Sequence, residues 1–286
     1  MSGQTIRRKP YTSDLTNAQW DLLTPFVSVN TGRGARNTHS LREILNAIFH
    51  INVNSCKWAD LPRDFPPPTS VSYHYCKWTR NGTWRRISDA LREQVRKRAG
   101  RDPHPSAGAT DSQTAKAAST GGYRGYDGGK RTTGRKKHTL VDSMGLLIVV
   151  LVTAAGVTDA AGAMAVLRQV SRFDQPRLRT IWADRAYHRD EVYEIAAARG
   201  WELDIRSRPA GARGFVPIRG RWVVERTYGW LGRHRRHAKD YERSYPSSEP
   251  QVYISSVRLM ARRLTKIAPP RDSGAAANAQ FPRIAA

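Results

Sequence analysis

The chain has 286 residues, 39% of them hydrophobic, which suffices for a sizeable core and excludes a disordered tail. Its 48 lysines and arginines against 24 acids leave a formal charge of +24, so the expected partner is a polyanion. The longest apolar run, MGLLIVVLVTAAG at 144–156, is too short to span a bilayer and rich in β-branched residues, so a membrane is excluded and a buried strand expected. The opening MSGQTIRRKPYTSD lacks the apolar stretch of a signal peptide, and a cytoplasmic protein is expected. Cys56 and Cys76 lack the paired spacing of a zinc site and are expected as small buried hydrophobes.

Residues 1–100 read as a helical domain. DLTNAQWDLLTPFV offers Asp14 or Thr16 as a cap and Leu15, Trp20, Leu22, Leu23 and Phe26 as an apolar face. SLREILNAIFHINVN repeats the pattern with Leu41, Ile44, Leu45, Ile48 and Phe49, and the prolines of LPRDFPPPTS then break any helix. The last helical stretch, residues 70–98, carries Lys77, Arg80, Arg85, Arg86, Arg92, Arg96 and Arg98 beside Trp78 and Trp84. That composition suits a helix laid against DNA, with Trp84 and Arg85 as candidate contacts.

RAGRDPHPSAG is rich in Gly, Pro and Arg, and residues 101–108 are expected as a linker. The next domain, 109–267, has a different texture. SAGATDSQ reads as a small-residue strand ending at Asp111; KHTLVDSMGLLIVVLVTAAG reads as a strand, a turn through Asp142 to Gly145, and a longer strand. A helix (DAAGAMAVLRQVSRF), a strand (LRTIWAD), a helix (RDEVYEIAAARG) and a strand (WELDIRSR) follow, then RWVVERTYGWLGRHRR as a helix and a final amphipathic helix in SSEPQVYISSVRLMARRLTKI. Three strands followed by alternating helices and strands imply an α/β fold with a mixed sheet flanked by helices. Residues 268–286 are expected as a disordered tail.

Acids are scarce, so each one at a strand end or on an apolar helix calls for a reason. Asp111 follows the small residues SAGAT, Asp184 follows the apolar TIWA at the carboxyl end of a strand, and Glu225 lies on the helix after the last strand. Carboxylates from two neighbouring strands and a helix packed across them can converge on hard divalent cations, and two such ions can clamp the attacking and leaving oxygens of a phosphodiester. Without metal, three clustered carboxylates would repel each other and the DNA backbone. Asp142 reads as a turn residue, Asp159 as an N-cap, and Asp190 and Glu191 as acids at a helix start. Tyr187 is a weaker site candidate, open between positioning substrate and packing. The glycine-rich, basic segment 119–137 reads as a surface loop whose Lys130, Arg135, Lys136 and Lys137 can neutralise phosphates.

From about residue 11 to about residue 265 the chain resembles the DDE transposases of bacterial insertion sequences. The segments carrying the resemblance are LTNAQWDLL, LREILNAI, CKWADLPRDFPP and NGTWRRI in the helical part, then ATDSQTAK, GYDGGKRTTGRKKHTLVDSMGLL, WADRAY and RWVVERTYGWLGRHRR. The resemblance implies a ribonuclease-H-like catalytic domain behind a helical DNA-binding domain, with Asp111, Asp184 and Glu225 as catalytic and metal-binding acids. It further implies two Mg²⁺ ions replaceable by Mn²⁺, transposon-end and target DNA as partners, and a homodimer or higher assembly when two ends are synapsed. A bacterial, nucleoid-associated location goes with it. In the family's last motif, Y-x2-R-x3-E-x6-K, Arg221 and Glu225 fit, whereas Ile218 stands at the Tyr position and Gly232 at the Lys position, with Arg233 one step on. Arg221, Arg226 and Arg233 are the expected DNA contacts of this helix. The reading is a transposase that binds terminal inverted repeats and catalyses metal-dependent cleavage and strand transfer. The alternatives are a catalytically silent DNA-binding repressor derived from a transposase and a metal-dependent nuclease of the same fold.

Overall fold

The computed structural model describes residues 8–28, 38–119, 122–207, 218 and 220–266; the expected tail at 268–286 lies outside them. Four helices open the chain: α1 (Asn17–Val27), α2 (Leu41–Asn54), α3 (Pro68–Arg80) and α4 (Thr83–Arg98). Thr16, rather than Asp14, caps α1 in a reciprocal capping box with Gln19. Pro68 stands in the first turn of α3, where a missing N–H costs nothing. The helical stretch over 70–98 is divided into two helices, parted at Asn81 and at Gly82, whose φ of +70° is left-handed.

A six-stranded sheet follows: β1 (Ala107–Lys116), β2 (Gly125–Asp127), β3 (Thr132–Asp142), β4 (Leu147–Ala154), β5 (Thr180–Ala183) and β6 (Glu202–Ile205). Strand β3 pairs antiparallel with β1, β2 and β4; β5 runs parallel to β1, and β6 parallel to β5. The order β4-β3-β1-β5-β6, an antiparallel meander extended by two parallel strands, is the ribonuclease-H-like arrangement that was expected. Short β2 continues along the edge of β3 that β4 occupies, pairing at Thr132–Gly134. Segment 119–137 is therefore not one surface loop, because β2 and the first half of β3 lie within it. Likewise β1 begins inside the expected linker and runs five residues past Asp111 to Lys116.

The remaining helices are α5 (Asp159–Arg168), α6 (Asp190–Ala198), α7 (Trp222–Leu231) and α8 (Tyr245–Thr265). Strand alternation divides the core in two. Leu140, Ile148 and Val149 face α5 and α6. Ala109, Val141, Leu147 and Val150 face α7 and α8, in one apolar cluster that continues through α1 to α4. Helix α4 is the joint: Trp84, Ile87, Leu91 and Val95 are buried, Arg92 donates to the Leu147 carbonyl at 3.0 Å, and Arg96 pairs with buried Asp142 at 2.7 Å. Asp142 is the expected turn residue, its Oδ1 accepting from the N–H groups of Met144 and Leu146 at 2.8 Å.

On the other face α5 lies so close to β3 that a Cβ at Gly162 would run into the His138 ring. Burial lowers His138 to about 4, so the ring under this helix is neutral. In an open helix, Gly→Ala gains about 1 kcal/mol; here overpacking, at about 1–3 kcal/mol, should outweigh it. Gly162→Ala is expected to lower the urea midpoint with an unchanged slope, and an equal or higher midpoint would contradict this packing.

Candidate active site

Strand register brings the two aspartates together. Ala109 pairs with Trp182 at the end of the β1–β5 ladder, so the parallel register carried two residues further puts Asp111 and Asp184 at matching positions, near enough for the Asp184 charge to act on Asp111. Ala109 and Trp182 both face the α7 side, and the two-residue period puts both carboxylates on that side as well. Asp184 leaves β5 at its carboxyl end and caps the 3₁₀ turn Arg185–Tyr187, accepting from the Ala186 N–H at 2.8 Å.

Helix α7 carries the third acid and is pinned from two directions. The buried Tyr228 hydroxyl donates to the Asp111 carbonyl at 2.8 Å and meets the Thr139 hydroxyl at 2.8 Å. Burial keeps this phenol well above its ordinary pKa, hence a neutral donor. One residue earlier, Thr227 donates to the Gly145 carbonyl at 2.7 Å; position 145 calls for glycine because its φ of +74° is left-handed and a Cβ there would crowd Thr227 and Val223. With Val223, Val224 and Leu231 in the core, Glu225 is left on the half-exposed side of the helix, above the aspartates.

Arg221 lies among the three acids. Its Nη2 is 3.0 Å from Glu225 Oε1 and its Nη1 4.0 Å from Asp184 Oδ2. It also acts on Asp111, whose pKa is raised to about 6: burial is the main cause and the Asp184 charge adds to it, while the Ser112 N–H and Arg221 oppose it. The donor set, carboxylate oxygens without nitrogen or sulfur, suits a hard divalent cation. Among the described residues, however, no group of three or more His, Cys, Asp or Glu is arranged to hold a metal as it stands; a guanidinium occupies the midst of the acids.

Of the expected DNA contacts, Lys130 and Arg233 are exposed and Arg85 is partly so, paired with Asp89 at 4.0 Å. Arg226 is half-buried between Trp222 and Trp230, at 4.3 and 4.6 Å from their ring centres. Four expectations are corrected. Trp84 is buried edge-to-face against Trp78. Arg135 pairs with buried Asp240 at 3.0 Å, Lys136 with Asp159 at 3.0 Å, and Lys137 lies 3.2 Å from His237 Nδ1. These cations fall on β3, and both of its faces are covered. Asp159 is not the cap of α5 either: Thr158 is, and Asp159 binds Ser112 and Lys136. Tyr187 packs in the α5–α6 core, its hydroxyl without a partner among the described residues. Tyr228, three residues after Glu225, is the polar tether of α7 to the sheet, a role that its residue type alone does not signal.

Residues 102–254 match the family model described as "Transposase DDE domain". The chain belongs to this family. Residues 15–88 of the chain match a second model, "Putative transposase of IS4/5 family". A relative from Burkholderia cepacia, "Putative transposase for insertion sequence element IS402", is 31% identical over 116 residues, covering 38% of this chain and 54% of the relative. The match thus spans about half the relative's length. A solved structure, "Crystal structure of a pre-cleavage Mos1 transpososome", aligns over 84% of this chain and 83% of that one, at 12% identity and a TM-score of 0.27. At that likeness the fold assignment rests on the strand order itself.

The Asp111 pKa has a consequence for stability. A carboxyl raised from 3.8 to about 6 on folding destabilises the fold where it is ionised, above pH 6, and ceases to do so below about pH 4. Asp111→Asn should therefore raise stability near neutral pH by on the order of 2 kcal/mol, with the gain fading as pH falls from 6 to 4. Denaturant melts across that range measure it; a gain that grows toward acid would refute the burial argument.

Proposed function

We propose that this transposase binds the terminal inverted repeats of an insertion sequence and catalyses strand cleavage and strand transfer. What supports the reading is that Asp184 and Glu225 both lie beside Arg221, with Asp111 near enough to feel the Asp184 and Arg221 charges, in a chain of charge +24. A DNA-binding surface gains nothing from three acids unless they hold cations. Gly229 of α7 agrees with this. A Cβ there would meet nothing within 4 Å, so packing does not require the glycine. It costs about 1 kcal/mol relative to Ala inside a helix, a cost explained if a DNA strand lies close to that surface.

In this reading Asp111, Asp184 and Glu225 hold Mg²⁺, with Mn²⁺ as a substitute. When bound, the cations polarise the scissile phosphodiester and make water a better nucleophile. Water attacks phosphorus, the bond to the 3′ oxygen breaks, and the released 3′-hydroxyl takes the proton. That hydroxyl then attacks a phosphodiester of target DNA, exchanging one such bond for another, without a covalent bond to the protein. Tyr228 keeps the acids in mutual register, while exposed Arg233 and Lys130 grip flanking phosphates. With Trp84 turned inward, the helical part meets DNA through α3, where Tyr73, Lys77 and Arg80 are exposed at helical spacing. Two ends held together require at least a dimer.

Incubating the protein with labelled end DNA and Mg²⁺ or Mn²⁺ tests this: joined products are expected, whereas nicks alone indicate a nuclease and a metal-indifferent mobility shift a repressor. Asp111→Asn, Asp184→Asn and Glu225→Gln are each expected to abolish cleavage while end binding changes little; normal cutting by any of them removes that residue from the site. Affinity for the ends should fall steeply with salt as phosphate contacts release counterions, and a flat response would contradict the electrostatic argument.

A further inference from the structure

Arg221 is oddly placed for a residue whose only task is to hold DNA. It stands at the start of α7, where the helix dipole disfavours a cation and favours the acid that follows it at Glu225. Its side chain is only 17% exposed, and its Nε is buried without a partner among the described residues. What offsets these costs is acid: Glu225 at 3.0 Å, Asp184 at 4.0 Å, and Asp111 close enough to be influenced by its charge. One guanidinium therefore serves as counter-ion to three carboxylates, in the space where the same oxygens would otherwise face a divalent cation.

Both cations cannot hold that place. A divalent ion on these oxygens would meet a positive charge within a few ångströms, in partly buried surroundings where such repulsion is poorly screened. Arg221 must then turn outward, and a phosphate is the partner that compensates it, through the paired donors a guanidinium offers. We propose that Arg221 is an internal counter-ion that keeps the carboxylate site closed to metal until a DNA phosphate draws its guanidinium away, so that metal loading waits for DNA. The inference rests on the metal-binding reading of the acids given above. Its use to the protein is restraint: an enzyme that cuts DNA holds no charged site ready while its substrate is absent. Because binding linkage is reciprocal, DNA must tighten metal binding by the same factor as metal tightens DNA binding.

The test titrates Mn²⁺ into the full chain, counting free ion by electron paramagnetic resonance, with and without a short duplex of arbitrary sequence. For the unaltered protein, the duplex should tighten Mn²⁺ binding about tenfold or more. Arg221→Gln and Arg221→Ala should bind Mn²⁺ about tenfold more tightly without DNA, and the duplex should then add at most about twofold. Affinity equal to or weaker than that of the unaltered protein in both variants overturns the proposal. Asp184→Asn separates the two layers of inference. If it binds Mn²⁺ as the unaltered protein does, the metal sits elsewhere, and both the metal reading and the role of Arg221 fall. If it loses Mn²⁺ while the Arg221 variants show no gain, the role of Arg221 alone falls. Thermal melts establish that each variant is folded. Should Gln and Ala not fold, Arg221→Lys gives the reading, because a single ammonium cannot bridge both carboxylates as the fork does; its Mn²⁺ affinity should rise a few-fold, and no rise overturns the proposal.

Discussion

One hydrogen bond, from the Tyr228 hydroxyl to the carbonyl of Asp111, sets the distance between the helix that carries Glu225 and the strand that carries the first aspartate. Strand pairing already brings Asp111 level with Asp184, because parallel register is fixed once one residue pair is chosen. The third acid has no such guarantee: α7 follows residues 206–221 and could slide along the sheet. Tyr228 prevents that sliding in the plane of the sheet, and Thr227 on Gly145 prevents rotation about the helix axis. The site is thus held by backbone carbonyls of the sheet, which change little when side chains move.

The same packing explains why composition overstated the DNA-facing charge. A +24 chain suggests cations everywhere on its surface, yet Arg92, Arg96, Arg135 and Arg236 are buried, each against a carboxylate: Asp89, Asp142, Asp240 and Glu242. Two of these pairs join separate pieces of chain, Arg96 tying α4 to the β3–β4 turn and Arg135 tying β3 to the turn before α8. Removing one partner of such a pair costs about 3–5 kcal/mol, since the other is left charged and dry. The Arg96–Asp142 pair thus holds the helical part to the sheet, and the Arg135–Asp240 pair holds the segment before α8 to it.

What was legible in the sequence follows from what is local. Hydrophobic spacing located every long helix and the main strands, because a period of 3.6 or 2 is written in neighbouring residues. The acids were legible because carboxylates are scarce and two of the three stand where a short apolar run ends. Burial of Arg135, Lys136 and Lys137 was not legible: three successive cations after a glycine-rich stretch carry the composition of a loop, and only the placement of β3 inside the sheet, with α5 packed on one face and α7 on the other, shows that both faces are covered. Trp84 failed for a related reason. An aromatic beside arginines looks the same on a DNA-facing helix as on one whose tryptophan is turned into the core, and the orientation is decided by α8, which begins 161 residues later.

The stretch RWVVERTYGWLGRHRR shows how far identical residues diverge once they are placed. Its five arginines have four different surroundings. Arg221 neutralises the acids, Arg226 is stacked between Trp222 and Trp230 while donating to the Met144 carbonyl, Arg236 is buried on Glu242, and Arg233 and Arg235 are exposed. Arg263 of α8 extends the stack over Trp230 at 4.1 Å, so an alternating row of indole and guanidinium runs from α7 to α8. That row explains the two tryptophans, which cover guanidinium faces and do not reach the acids. It also bears on the absent tyrosine of the family motif. Position 218 takes part here through its backbone, the Ile218 carbonyl accepting from the N–H groups of Arg221 and Trp222 at 3.1 Å. A side chain at 218 is thus not needed to start the helix, and the orientation of Glu225 depends on Arg221 and Tyr228 on either side of it.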